Sequence, residues 1–172
     1  MKMLVIAAHP DDEVLGCGGT IARRVTEGHH VTIAILGEGV TSRYARRDQA
    51  DQAQVERLHE RSRQAAQLLG AHELILEGLP DNRFDTVPLL DVVKILENIL
   101  ARVGPEIVYT QHGGDLNVDH QVVYRATLTA TRPMAECGVK QVLAYEVASS
   151  TEWAFQQFAP RFRPNVFVDI AA

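Results

Sequence analysis

The chain predicts an α/β fold of the Rossmann-like kind, a mainly parallel β-sheet with helices on both faces. Three observations carry this. Short apolar runs alternate along the chain with amphipathic stretches of helical period. The runs are apolar at successive positions, as strands covered on both faces must be. Glycines and prolines fall where the periods change.

Taken in order, "MLVIAA" (3–8) reads as a buried strand, and "EVLGCGGTIARRVTEG" (13–28) as a helix closed by Gly28. "HVTIAIL" (30–36) is a second strand. Residues 38–56 are polar, rich in arginine and long for a connection, which marks either a functional segment or a solvated extension of the next helix. "VERLHERSRQAAQLLG" (55–70) is a long amphipathic helix, and "ELILEGL" (73–79) a third strand. "PLLDVVKILENILARVG" (88–104) is a helix with Pro88 in its first turn, followed by a fourth strand, "EIVYTQH" (106–112). "NVDHQVVYRATLTATRP" (117–133) gives a helix that ends before Pro133. "KQVLAYEVA" (140–148) and "NVFVDI" (165–170) complete the expectation as strands five and six.

Composition narrows the classes. At 172 residues the chain suits one domain, 1–172, and the net charge of −5 contains no basic block, which argues against nucleic acid as a partner. Only Lys2, Lys94 and Lys140 are lysines; the other bases are arginines, whose fixed forks grip phosphate, carboxylate or sugar hydroxyls. Cys17 and Cys137 form neither a disulfide framework nor a metal site by themselves, and Cys17 reads as a small core residue. The first apolar run is too short for a signal-peptide core, and no later run is long enough to span a bilayer, so a cytoplasmic location is expected.

In parallel sheets ligands bind at the carboxyl ends of the strands. "HPDDE" follows strand one and "HGGDLNVDH" follows strand four, so two polar clusters far apart in sequence open on one edge. Carboxylates this close repel one another unless something positive sits among them. His9 and Asp12 can point at one ion across a turn, and His120 can complete a three-ligand zinc site with a position left for water. Asp11 is then free to act as general base. Taken singly these residues are ambiguous: a histidine after a strand often has only a structural role, and "DD" after a first strand also serves magnesium-binding receiver domains.

"AHPDDEVLGCGGT" followed by "HGGDLNVDHQVV" resembles the LmbE-like, or PIG-L, family of zinc-dependent de-N-acetylases, which remove acetyl from N-acetylglucosamine-type sugars. The similarity extends to "LGEG", "ERSRQAAQLLG" and "LPDNRFD". The resemblance implies one zinc ion per chain held by His9, Asp12 and His120, with Asp11 as general base and Asp119 orienting the second-motif polar group. It implies a small-molecule N-acetylated sugar conjugate as substrate, with Arg43, Asp81 and Arg83 as its binders. Glu13 is either a second-layer residue or simply an acid favoured at a helix N-terminus. The glycines at 16, 18 and 19 are expected to allow close helix packing.

Two departures from the family pattern stand out. Where many members carry a histidine three residues before the ligand histidine, this chain has Asn117, which can donate to an oxyanion but cannot deliver a proton at neutral pH. Proton delivery then falls to Asp11 or to His112, with Asp115 as the carboxylate partner of His112. Secondly, the chain stops at "VFVDIAA" where members continue through further helix and loop, elements that commonly supply pocket wall and subunit contacts. A short member or an incomplete end, and a homo-oligomer, are all open. The alternative functions are a relative that only binds its sugar and a regulatory nucleotide-binding or receiver-type module. The receiver reading fails on position, since no lysine follows strand five.

Overall fold

A computed structural model describes residues 1–133 and 137–171. Five parallel strands form one sheet: β1 (Lys2–Ala7), β2 (His30–Gly37), β3 (Glu73–Leu79), β4 (Ile107–Gln111) and β5 (Gln141–Tyr145), in the order β3-β2-β1-β4-β5. β1 lies at the centre, in register Leu4↔Thr32 with β2 and Leu4↔Val108 with β4. Between the strands run α1 (Asp12–Thr26), α2 (Gln52–Leu68), α3 (Leu89–Val103) and α4 (Val118–Ala130), with a single turn, α5 (Ala148–Thr151), after β5.

The strand period of two explains the layering. Leu4, Ile6 and Ala8 point to one face, where Val92, Val93 and Leu96 of α3 and Val123 and Ala126 of α4 cover them. Met3, Val5 and Ala7 point to the other, against Cys17 and Ile21 of α1 and Ala66 of α2. Each such branched side chain buried contributes about 1.5–3 kcal/mol. The helix limits follow their caps: Asp51 accepts the Ala53 N–H at 3.0 Å, Asn117 accepts the Asp119 N–H at 2.9 Å, and Gly104 closes α3 with φ 60°.

The expected sixth strand does not form. Residues 155–171 are irregular, with Phe167 81 % and Ile170 61 % exposed. "NVFVDI" has the apolar, β-branched run of a strand, but among the described residues it joins no ladder, and such a run without a neighbour's backbone groups leaves a segment irregular. The polar connection before α2 holds two 3-10 turns, Thr41–Arg43 and Arg47–Gln49, and α2 begins at Gln52 rather than 55. No helix of the described residues is long and apolar enough to cross a membrane.

Candidate metal centre

β1 delivers the chain into the turn His9–Pro10–Asp11, and the turn folds on itself. The backbone N–H of His9 donates to Asp12 Oδ2 at 2.9 Å. That same oxygen receives Gln111 Nε2 from the end of β4 at 3.0 Å. It also lies 3.4 Å from His9 Nδ1 and 3.2 Å from Nε2 of His120, which the first turn of α4 brings in. His9, Asp12 and His120 each offer a ligand atom within 4.8 Å of the others.

Each histidine is held from behind by a carboxylate. Asp119 Oδ2 accepts the His9 Nε2 proton at 2.8 Å, and its Oδ1 accepts the Phe84 N–H at 2.9 Å. His120 Nδ1 lies 3.2 Å from Asp115 Oδ2, which also accepts from Ser150 Oγ and Thr151 Oγ1 of α5 at 3.0 and 2.6 Å. Both rings therefore turn one nitrogen to a carboxylate and the other towards Asp12, the arrangement that fixes the tautomer of metal-ligating histidines. Asp119 thus backs the first motif rather than the second. Asp115, expected beside His112, serves His120.

The charges point the same way. Burial opposes charge on both rings, yet Asp119 and Asp12 raise His9 to about 10, and Asp115 and Asp12 raise His120 to about 9. Burial also opposes ionisation of Asp12, but the two imidazoles hold it well below the usual carboxylate range. Five aspartates gather around two imidazoles, so the carboxylates outnumber the positive charge that even two protonated rings supply. A divalent cation fits this donor set, and one observation selects the place. His120 Nε2 is buried without a hydrogen-bond partner. A second group, His9, Asp81 and Asp119, is equally close-set, but the histidine nitrogen that faces its carboxylates, His9 Nε2, is already hydrogen-bonded to Asp119 Oδ2. His9, Asp12 and His120 would hold the ion.

Asp11 stands apart from these bonds. It occupies the N-cap position of α1 with φ 128°, a strained value for a residue with a Cβ, and its side chain makes no cap hydrogen bond. Its backbone N–H goes instead to Glu13 Oε2 at 3.1 Å. Burial, then the neighbouring Asp12, raise the Asp11 pKa above the ordinary value. Glu13 is only 2 % exposed, and burial pushes it up to about 7. Burial likewise pushes the Cys17 thiol up, and Cys17 packs in the core as expected.

The expected substrate residues are placed unevenly. Asp81 is buried: its Oδ2 accepts from Ser42 N–H and Oγ at 3.0 and 2.7 Å, and its Oδ1 from Asn82 Nδ2 at 3.0 Å. It ties two loops together and lies 3.5 Å from His9 Nε2. Arg83 Nη2 reaches the Tyr44 and Ala45 carbonyls at 3.4 and 3.3 Å, while Arg43 lines an open cleft. Asn117 caps α4 and donates Nδ2 to Asn82 Oδ1 at 3.0 Å. His112 is buried, donates Nε2–H to the Pro160 carbonyl at 2.7 Å and meets Phe162 edge-on. Gln111 as a holder of Asp12 was not anticipated; a glutamine closing an apolar strand at the ligand edge was the available signal.

A parallel α/β sheet with a His–Asp–His cluster suited to a cation at the carboxyl ends of two adjacent strands defines the class. Residues 4–131 match the family described as PIG-L: GlcNAc-PI de-N-acetylase, and the chain belongs to that family. It is 33 % identical to the uncharacterized deacetylase YaiS of Escherichia coli K12, over 98 % of this chain and 81 % of that protein. It is 31 % identical to the 1D-myo-inositol 2-acetamido-2-deoxy-alpha-D-glucopyranoside deacetylase of Tsukamurella paurometabola, over 80 % of this chain but only 57 % of that protein's length. Among solved structures, GalB, the 4-carboxy-2-hydroxymuconate hydratase of Pseudomonas putida KT2440, superposes with a TM-score of 0.74 at 26 % identity, over 99 % of this chain and 73 % of that one.

Proposed function

We propose that the chain is a zinc-dependent de-N-acetylase that hydrolyses the linear amide of an N-acetylglucosamine-type conjugate, a small molecule of the cytoplasm. The observation that carries this reading is Asp11, a strained carboxylate spared from helix capping beside a buried His–Asp–His cation site. The family's description and the deacetylase names of two relatives support the reaction class.

His9, Asp12 and His120 would hold a divalent ion, which would supply Lewis acidity towards the acetyl carbonyl and towards water. The protein does the rest. Asp119 and Asp115 hold the two imidazoles in one tautomer, and Gln111 fixes the carboxylate of Asp12. Asp11 removes a proton from the attacking water; a pKa raised towards the working pH makes it the better base. The amine leaves with that proton, because the Nε2 of His112 is engaged by Pro160 and Asn117 has none to give. Asn117 retains a second amide hydrogen that can face the developing oxyanion.

The test measures acetate released from N-acetylglucosamine conjugates of different aglycones, with metal content measured in parallel. One divalent ion per chain, lost in His120→Ala, and stoichiometric acetate are expected. Hydration of an unsaturated acid without acetate release, or sugar binding without turnover, would overturn the assignment.

A further inference from the structure

A cleft of about 320 Å³ opens between α2 and the 3-10 turn that follows β2, lined by Val40, Arg43, Gln54, Arg57, Leu58 and Arg61. Its polar groups are three guanidiniums and one carboxamide. Elsewhere in this stretch arginines are neutralised: Arg46 by Asp48, Arg47 by Glu38 and Arg63 by Glu60. Here Arg43 and Arg61 have no ion pair among the described residues, and Arg57 has one loose contact, 3.6 Å to Asp51. Arg57 and Arg61 are also like charges one turn apart on α2, a pairing that weakens a helix. In a chain with more acids than bases, this is concentrated positive charge, uncompensated at Arg43 and Arg61.

The cleft is built into the site's surroundings. Val40 is held at φ 56°, a left-handed conformation unfavourable for a β-branched residue, and it starts the turn that carries Arg43. Ser42, next in the chain, is fastened to Asp81, which lies 3.5 Å from His9 Nε2. Gly39 is wedged between Leu58 and Pro10, so that a Cβ there would come within 2.6 Å of Leu58 Cδ2 and 3.1 Å of Pro10 Cδ. The arginine cleft therefore abuts the turn that bears His9 and Asp11.

We infer that this cleft receives a phosphoryl group carried by the substrate. Three guanidinium forks offer more donors than a planar carboxylate can accept, whereas a phosphate has oxygens for all of them. That the phosphate belongs to the substrate rests on the deacetylase reading; the anion site itself does not.

The protein as purified is titrated calorimetrically with inorganic phosphate and, separately, with acetate, alongside the double variant Arg43→Gln/Arg61→Gln. Phosphate binding that weakens about tenfold or more in the variant, with acetate much weaker throughout, is expected. Phosphate binding that is absent, or unchanged in the variant because it occurs at the metal centre, would overturn the site. In the second arm, N-acetylglucosamine 1-phosphate should exceed N-acetylglucosamine in kcat/KM, and the variant should reduce that ratio at least about tenfold. Phosphate bound in the cleft with no preference between these two substrates would remove the substrate assignment. Turnover of neither would sink the deacetylase reading while leaving the titration to decide the cleft.

Discussion

Asp11 sits where an aspartate ordinarily closes a helix with its own carboxylate, and here that carboxylate is left free while Glu13 takes up the local backbone donor. Asp11→Asn should keep the fold and the metal yet lower the deacetylation rate by roughly 10²–10⁴. Metal content and kcat on one preparation check this; near wild-type turnover would move the base role, with Glu13 next in line. Asn117 makes the opposite use of its side chain, capping α4 and bridging to Asn82. Asn117→Ala should cost about 1 kcal/mol of stability and Asn117→Ser much less, because a hydroxyl still caps; equilibrium denaturation decides. At this scale the sequence displayed the cluster that the structure brings together. His9, Asp12 and His120 were readable as one group because ligand chemistry restricts residue type and spacing. Asp115 and Gln111 were not, because a carboxylate or amide behind a ligand is recognised only by what it touches. Asp81 behaves alike: nothing in "LPDN" reveals that Ser42 and Asn82 donate to its oxygens.

Helix α1 meets β5 through Gly16. A Cβ there would lie 2.3 Å from Tyr145 Cδ2 and 2.9 Å from the Glu146 carbonyl oxygen, and the Tyr145 hydroxyl is bonded to the Ile6 carbonyl at 2.8 Å. The ring cannot swing away without giving up that bond, and the backbone oxygen cannot swing at all. Gly16→Ala should therefore destabilise the protein by about 1–3 kcal/mol, an overpacking cost. An unchanged denaturation midpoint would mean that β5 docks loosely on α1. Gly18 and Gly19 differ: the former has room for a methyl group, and the latter faces Ile170 rather than the sheet. The five strands and four long helices were legible because burial on two faces imposes runs and periods that loops do not share. Residues 165–170 carry the same signature without its cause. They pass the rim of β5 around a cleft of about 670 Å³, with no ladder between them.

Across the whole molecule, the order β3-β2-β1-β4-β5 makes β1 and β4 the strands from which the chain departs in opposite directions, and a crevice opens where they part. His9 and Asp12 come from one side of it and His120 from the other, so an ion held by all three would stitch the two halves of the sheet together. At a hundredfold excess over its Kd, such an ion should add about 2.7 kcal/mol, which for a chain of this size raises Tm by roughly 5–10 °C. Chelation followed by a thermal scan measures it, and an unmoved Tm would show that no ion bridges the crevice. The backbone of Asp11 has a consequence on the same scale. A glycine would accept φ 128° without strain and would remove one carboxylate from a crowded set, so Asp11→Gly should melt at a higher temperature than the parent while releasing no acetate. A population selected for heat tolerance alone would discard this carboxylate early, and its retention in a lineage is a sign that turnover is still being selected.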